Sequence, residues 1–510
     1  MTSKGARCRT PFSRTAIGEQ TPSCNLERLN PRGRKPNNTQ RPTPFTQAVV
    51  RSKHMTSSPQ IHEGILEPGV INIHKGKRRL IEFTHSSTKA TILMVFAALA
   101  AFAIENTPAL PYFNEFWQSV HLTFSIGAFH ANISLEHFIN DFLMALFFLM
   151  VGLEIKHEIR AGELTEPRKA ILPIIAAAGG AILPAIIYLI VNVGGQYAGG
   201  WGVPMANDIA FCLGLLALLG RRIPSGLRAY LSTLTIADDM IAIAVIALFY
   251  TTKLSLPWLI AALAAYALLI AFNRCHIYDL PPYLIIGFIL WVCMLFSGIH
   301  ATLAGVMLAL AIPARSEIRL DRVGGWFAHR VRKAEDRYDP DEPDVAQREY
   351  LREVYSIRRV SHATIPPTIR LEKRLHTFVY FFVLPLFAFS NAGVILAGMS
   401  FTQVVTSPVA IGVFLGLLVG KPLGIFIATW ATVKLGVSQL PKGVKWGHIA
   451  GVSALGGVGF TMAIFVTNLS FTDPQVAAVA KTAILAASII AGALGFLILR
   501  HEALNAERES

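Results

Sequence analysis

Stretches of about twenty apolar residues with few charges recur along the whole of this 510-residue chain. A bilayer core leaves unpaired backbone groups no water to bond, so such stretches must fold as helices that satisfy their own N–H and C=O groups. We read twelve spans, at 90–105, 136–155, 170–194, 203–220, 226–250, 256–273, 282–298, 299–313, 376–397, 408–433, 447–468 and 475–499. Only 15% of residues are charged, against roughly a quarter in soluble domains. The fold class expected is therefore an all-α polytopic membrane protein with about 12 transmembrane helices.

Spans 4 and 8 are short for a full crossing, and span 11 carries Gly451, Gly456, Gly457 and Gly459. Short or glycine-interrupted spans are where a membrane helix breaks to line a site. Loop charges set orientation. Lys156, Arg160, Arg168 and Lys169 follow span 2. Arg221, Arg222 and Arg228 follow span 4, and Arg274 follows span 6. A long basic loop follows span 8, and Lys434, Lys442 and Lys445 follow span 10, whereas the opposite loops hold a single Lys253. One alternating assignment fits all twelve spans and places both termini in the cytoplasm.

The chain divides into a basic tail (1–85), spans 1–8 (86–313), a polar insert (314–375), spans 9–12 (376–500) and a short tail (501–510). Residues 1–54 hold eleven Lys or Arg against Glu19 and Glu27 and show no periodicity, so disorder is expected. An Arg-rich start resembles a transit peptide, but an early start codon, with Met55 as the alternative initiator, is the favoured explanation. A nucleic-acid partner is not expected. The insert mixes basic and acidic runs and is expected to be a solvated, helical or partly disordered segment. Alternating residues in 120–126 and again in 128–135 point to a short external β-hairpin. Cys8, Cys24, Cys212, Cys275 and Cys293 form no CxxC or metal spacing, and no disulfide or cofactor is expected.

The informative residues are the ionisable ones inside or beside spans, because a charge at the helix centre costs roughly 2.5–3.5 kcal/mol or more. They are Asp141, Glu154, Glu158, Asp208, Asp238, Asp239, His300, Lys421 and Lys481. Asp238 and Asp239 sit midway along span 5. Helical neighbours point about 100° apart, so both border one cavity without sharing a face. Two such carboxylates cannot both stay ionised in a low-dielectric site without a counter-charge. A group poised this way takes a proton or a cation in competition, which is the physics of an antiporter. The plainer alternative is a buried ion pair that fixes helix packing.

Lys421 is the one Lys or Arg deep inside a span and requires a carboxylate, with Asp238 and Asp208 as candidates. The stretch from Gly416 to Lys421 lacks the spacing and the Ser or Thr of a phosphate loop. Asp208 follows Pro204 and Asn207 in a span that starts irregularly, and either lines a broken helix or caps its own backbone. Glu154 and Glu158 lie four apart at the end of span 2. They form either a cation-attracting mouth or a solvated end paired with Lys156 or Arg160. Asp141 begins span 2, His300 begins span 8 as a hydrogen-bonding residue, and Lys481 snorkels from span 12.

At these residues the chain resembles the NhaA family of Na⁺/H⁺ antiporters, from about Ser87 to Arg500 apart from the insert. The matching stretches, in the family's order, begin with Phe147-Phe148-Leu149-Met150-Val151-Gly152-Leu153-Glu154, Asn207-Asp208-Ile209-Ala210-Phe211 and Asp238-Asp239. His300-Ala301-Thr302-Leu303-Ala304-Gly305 and Leu384-Pro385-Leu386-Phe387-Ala388-Phe389 follow. Gly420-Lys421-Pro422-Leu423-Gly424 and Gly457-Val458-Gly459-Phe460-Thr461-Met462 complete the set. The resemblance implies inverted repeats at spans 3–5 and 10–12, with spans 4 and 11 broken and crossed at Asp208. It implies Asp239 as the principal ligand of the transported Na⁺, with Asp238 beside it as a proton-binding partner of Lys421. Glu154, Glu158 and Glu372 would form a pH-responsive cytoplasmic entrance, Asp141 would support activity, and the hairpin would join a homodimer.

Asn207 stands where the family usually has Thr, which bears on ion preference, and Met240-Ile241 replaces a common Leu-Gly pair. The expected function is electrogenic, pH-regulated exchange of Na⁺ (or Li⁺) for H⁺ in a bacterial inner membrane, by a transporter rather than an enzyme, with membrane lipid as its surroundings. A sodium-coupled organic-anion transporter is the alternative. An intramembrane aspartyl protease using Asp208 and Asp238 is the remoter alternative, disfavoured because Gly457-Val458-Gly459 is followed by Phe460 where that family's motif requires Asp.

Overall fold

The computed structural model describes residues 87–107, 117, 120–126, 129–162, 165–251, 254–393 and 401–509. The expectations for the basic tail, for Lys253, and for Cys8 and Cys24 lie outside the described residues. Cys212, Cys275 and Cys293 are free thiols.

Ten helical stretches among the described residues are long and apolar enough to cross a bilayer, against the twelve spans expected. They are Thr88–Glu105, Leu135–Ala161, Lys169–Val191, Ala198–Leu218, Ser225–Phe249, Leu256–Arg274, Leu280–Ser297, Pro408–Lys434, Trp446–Ser470 and Pro474–Asn505. Spans 8 and 9 make the difference. Span 8, Leu303–Ala311, has nine residues, about 14 Å of helix where the hydrocarbon is about 30 Å thick. Span 9 is helical over 367–391, but its first turns carry Arg370, Glu372, Lys373 and Arg374. Between spans 1 and 2, β1 (His121–Ile126) and β2 (Phe129–Ser134) pair antiparallel, from His121 opposite Ser134 to Ile126 opposite Phe129.

A helix end leaves its last carbonyls without partners in the helix. Span 8 is closed by side chains from two neighbouring helices. Lys156 of span 2 donates to the carbonyls of Ala309 at 3.1 Å, Leu310 at 2.7 Å and Ile312. Asn273 of span 6 donates to Ala311 at 2.5 Å. The ammonium also sits at the negative end of the helix dipole. Lys156, one of the two cations offered as partners for Glu154 and Glu158, is therefore engaged as a helix cap instead. Lys156→Met keeps the length and removes the donors, so a loss of about 2–4 kcal/mol is expected, read as a lower melting temperature. An unchanged melting temperature would refute the cap.

Spans 3 and 10 approach closely through small residues. A Cβ on Gly179 would lie 2.5 Å from the Gly424 carbonyl oxygen, and one on Gly420 would lie 2.8 Å from the Pro184 backbone. Gly416–Gly420 forms a π-helical turn directly before Lys421. A wide turn inserts a residue and re-aims the side chain that follows it. Similar turns occupy Phe138–Leu143 of span 2 and Val379–Val383 of span 9.

In the insert, Leu320–Glu335 and Arg348–Thr364 are helices packed on one another. Glu353 is buried between them, bonded to Arg330 and to Arg337 at 3.1 Å, with Lys333 at 3.4 Å. The Arg330 hydrogen bond, with the charges of Arg330 and Lys333, holds its carboxyl below the ordinary value of 4.5. A carboxyl with a lowered pKa stabilises the fold above its ordinary titration range and stops doing so as pH falls through the lowered value. Hydrogen exchange in 320–364, corrected for intrinsic rates, is expected to stay slow from pH 8 to about pH 5 and to quicken in stronger acid. Glu353→Gln should exchange faster from pH 8 to about pH 5 and converge with the unsubstituted protein in stronger acid, and equal protection of the two near neutral pH would refute the clamp.

Candidate functional site

Spans 4 and 11 are both interrupted near their middles. Span 4 runs as a 3₁₀ helix over Ala198–Met205, is extended at Ala206 and Asp208, and resumes as Ile209–Leu218. Span 11 consists of Trp446–Gly456 and Phe460–Ser470 with a break at 457–459. The breaks meet, with the Asp208 N–H donating to the Val458 carbonyl at 2.9 Å.

Asp208 secures this crossing. One carboxylate oxygen accepts from the Phe211 N–H at 3.0 Å and so caps the resumed helix. The other accepts from the Thr461 N–H at 3.2 Å and the Thr461 hydroxyl at 2.5 Å. Its lone pairs are spent on backbone ends, as a helix-start carboxylate's would be. Thr461 lay within the quoted glycine-rich stretch, but its bond to Asp208, 253 residues away, had no local signal.

Span 5 brings Asp238 and Asp239 to the crossing, at 2% and 5% exposure. Lys421, with no exposed surface, donates to Asp238 Oδ2 at 2.7 Å and to the Met205 carbonyl. Of the two candidate partners for Lys421, Asp238 is the one in contact. The Asn207 N–H also donates to Asp238. Asp238 is thereby neutralised and well bonded, whereas Asp239 Oδ2 has no partner among the described residues, and neither has Asn207 Oδ1 or Nδ2. Buried polar atoms are rarely left unpaired in a folded protein, since each costs about 1–3 kcal/mol.

Glu154 lies toward the basic-loop side, hydrogen-bonded to the Tyr380 hydroxyl and in electrostatic contact with Glu372 and Asp239. Tyr380 was missed from sequence, because it sits in an otherwise apolar run. Glu372 approaches His157 at 3.4 Å. Glu158 accepts from the Thr233 hydroxyl at 3.2 Å. It lines a cavity of about 320 Å³ with Glu166, Lys169 and Ser232. A larger cavity of about 850 Å³, lined by Tyr230, Leu440 and Lys442 among others, shares Lys169, Ala229 and Thr233 with it. Both cavities therefore lie at the basic-loop ends of the spans.

Two expected site residues stand apart from this cluster. Asp141 is in the π-helical turn at the other end of span 2, where its carbonyl accepts from Trp291 at 3.4 Å. The His300 ring bonds the backbone of Tyr250 at the far end of span 5. Lys481, in the first turns of span 12, interacts with Glu105 and Glu136.

The arrangement is a buried carboxylate beside a neutralised carboxylate–ammonium pair, held where two interrupted helices cross. Residues 81–499 match the profile of the Na⁺/H⁺ antiporter 1 family. The chain is 42% identical over 409 residues to the Na⁺/H⁺ antiporter NhaA of Oleidesulfovibrio alaskensis, covering 80% of this chain and 90% of that one. It is 40% identical over 427 residues to the NhaA of Wolinella succinogenes, covering 83% and 93%. It is 42% identical over 427 residues to the NhaA of Helicobacter pylori strain G27, covering 82% and 94%. With its buried acid pair and its sequence alike across nearly the full length of these relatives, the chain belongs to the Na⁺/H⁺ antiporter 1 family.

Proposed function

We propose that this protein exchanges Na⁺ or Li⁺ for H⁺ across a bacterial inner membrane by alternating access, with both termini in the cytoplasm. The observation that carries the proposal is the pairing pattern at the crossing. Asp239 Oδ2 and Asn207 Oδ1 are buried oxygens with no partner among the described residues, beside an aspartate that Lys421 already neutralises. A dehydrated monovalent cation needs such oxygens, and so does a proton. Asp239 is assigned as the principal ligand, Asp238 and Asn207 as its companions, and Asp208 as the anchor of the crossing. Glu154, Glu158 and Glu372 line the way in, and Asp141 and His300 act in support from the far side.

Binding a cation requires Asp239 to shed its proton and the Asp238–Lys421 pair to give up one more. Two protons then move for each cation, so exchange carries net charge, and rising pH favours it. Rates at fixed pH that ignore a clamped membrane potential would overturn the two-proton scheme. The β1–β2 hairpin is assigned as a homodimer contact.

The test of function uses inside-out vesicles with an established pH gradient reported by a quenched dye. Adding NaCl or LiCl is expected to dissipate the gradient, with KCl inert. Silence toward both Na⁺ and Li⁺ from pH 6 to pH 9 would overturn the proposal.

A further inference from the structure

Away from the site, three asparagines from three spans form a chain of amides. Asn391 Nδ2 donates to Asn140 Oδ1 at 2.8 Å and to its own helix's Phe387 carbonyl at 3.2 Å. Asn391 Oδ1 accepts from Asn468 Nδ2 at 2.7 Å. Asn391 is the last residue of span 9 and is 2% exposed. Asn140 lies in the second turn of span 2, and Asn468 two residues before the end of span 11. Span 2 enters from the side opposite the basic loops, and spans 9 and 11 end there, so the chain crosses the outer end of the bundle.

Its position relative to the site gives it a role. Asp208, Asp238, Asp239, Lys421 and Thr461 all belong to spans 4, 5, 10 and 11. Asn468 is on the same half-helix as Thr461, seven residues or about 10 Å further out. Asn140 and Asn391 are on spans that supply none of those five residues. The Asn391–Asn468 bond therefore ties the site-bearing helices to their neighbours on the outer side. A second polar tie lies close by. Lys481 of span 12 interacts with Glu105 of span 1 and Glu136 of span 2. Glu105 packs against Gly393, two residues beyond Asn391. The cavities beside Glu158 and Thr233, by contrast, are at the opposite ends of these helices.

We propose that the Asn140–Asn391–Asn468 amide chain is the outer gate of the exchange site, closed here and opened when the site faces outward. The proposal rests on the exchange function above. Once the Asn391–Asn468 bond separates, span 11 is free to shift against span 9 and water reaches Thr461 from outside. Buried amides suit a gate, because each hydrogen bond contributes little net stability and is replaced by water on opening.

The test has two arms in a protein whose native cysteines are replaced. In the first, Thr467→Cys, one residue inside the gate, is labelled from outside with a membrane-impermeant maleimide. Asn391→Leu, which keeps bulk and loses the bonds, is expected to raise the labelling rate at least tenfold. Equal rates would overturn the gate and leave the amides a packing device. This arm reads access and is blind to which ion is carried, so it fails separately from the sodium assay. In the second, Asn391→Cys and Asn468→Cys are bridged by a short bifunctional methanethiosulfonate. Bridging is expected to stop cation exchange, with recovery on reduction. Undiminished exchange by the bridged protein would overturn the proposal even if Asn391→Leu failed to fold.

Discussion

Asp239→Asn is expected to abolish sodium-dependent proton movement while leaving the protein folded. The substitution keeps shape and volume and removes the carboxylate of the crossing that has an oxygen without a partner among the described residues. An amide oxygen still reaches a cation, but it binds no proton and offers no net charge. The lost charge-assisted contact, worth about 1.5–3 kcal/mol, lowers cation affinity by about one to two orders of magnitude. Proton coupling through this position vanishes altogether. Because Asp239 Oδ2 makes no bond among the described residues, the melting temperature should scarcely move. Sodium-driven collapse of the pH gradient by Asp239→Asn at the wild-type rate would remove Asp239 from the site.

Lys421→Met is expected to act on stability as much as on transport. Lys421 has no exposed surface, and its ammonium serves both Asp238 and the Met205 carbonyl. Methionine fills the same space and leaves a buried carboxylate without its counter-charge. Removing one partner of a buried ion pair typically destabilises by roughly 3–5 kcal/mol. A second substitution, Asp238→Asn, removes the stranded charge and should restore part of that loss, so the two changes are strongly non-additive. Thermal melting of the two single variants and the double variant measures the coupling. Additive losses would mean that the pair does not hold span 10 to span 5. The contrast with Asp239 is informative, since one aspartate is expected to matter for stability and its neighbour for transport alone.

Much of this was legible in the order of residues. Hydropathy is a local property, and bilayer thickness converts it directly into span length, so the spans and their alternation follow from counting. The aspartate pair stood out because charge at mid-span is costly wherever the helix sits. Span 9 was read to start late, at 376 rather than 367, because its charged first turns hide helix from a hydropathy count, and span 8 was read long for the opposite reason. The insert's two helices were left open between helical and disordered, since what orders Glu353 is a set of cations 16 to 23 residues away.

What only the tertiary structure decided is which polar group meets which. Asp238 and Lys421 are 183 residues apart, and Asp208 and Thr461 are 253 apart. Sequence allowed Lys421 either aspartate, Asp208 either role, and Glu154 and Glu158 either an open mouth or a pairing with Lys156 or Arg160. The packing of spans 3 and 10 and the wide turn before Lys421 chose Asp238. The meeting of two broken helices committed Asp208 to backbone ends, and the short eighth helix drew Lys156 to its open carbonyls. Burial removes water as an alternative partner, so each of these groups had to find its match in the protein. Only the three-dimensional arrangement of helices determines which matches are within reach.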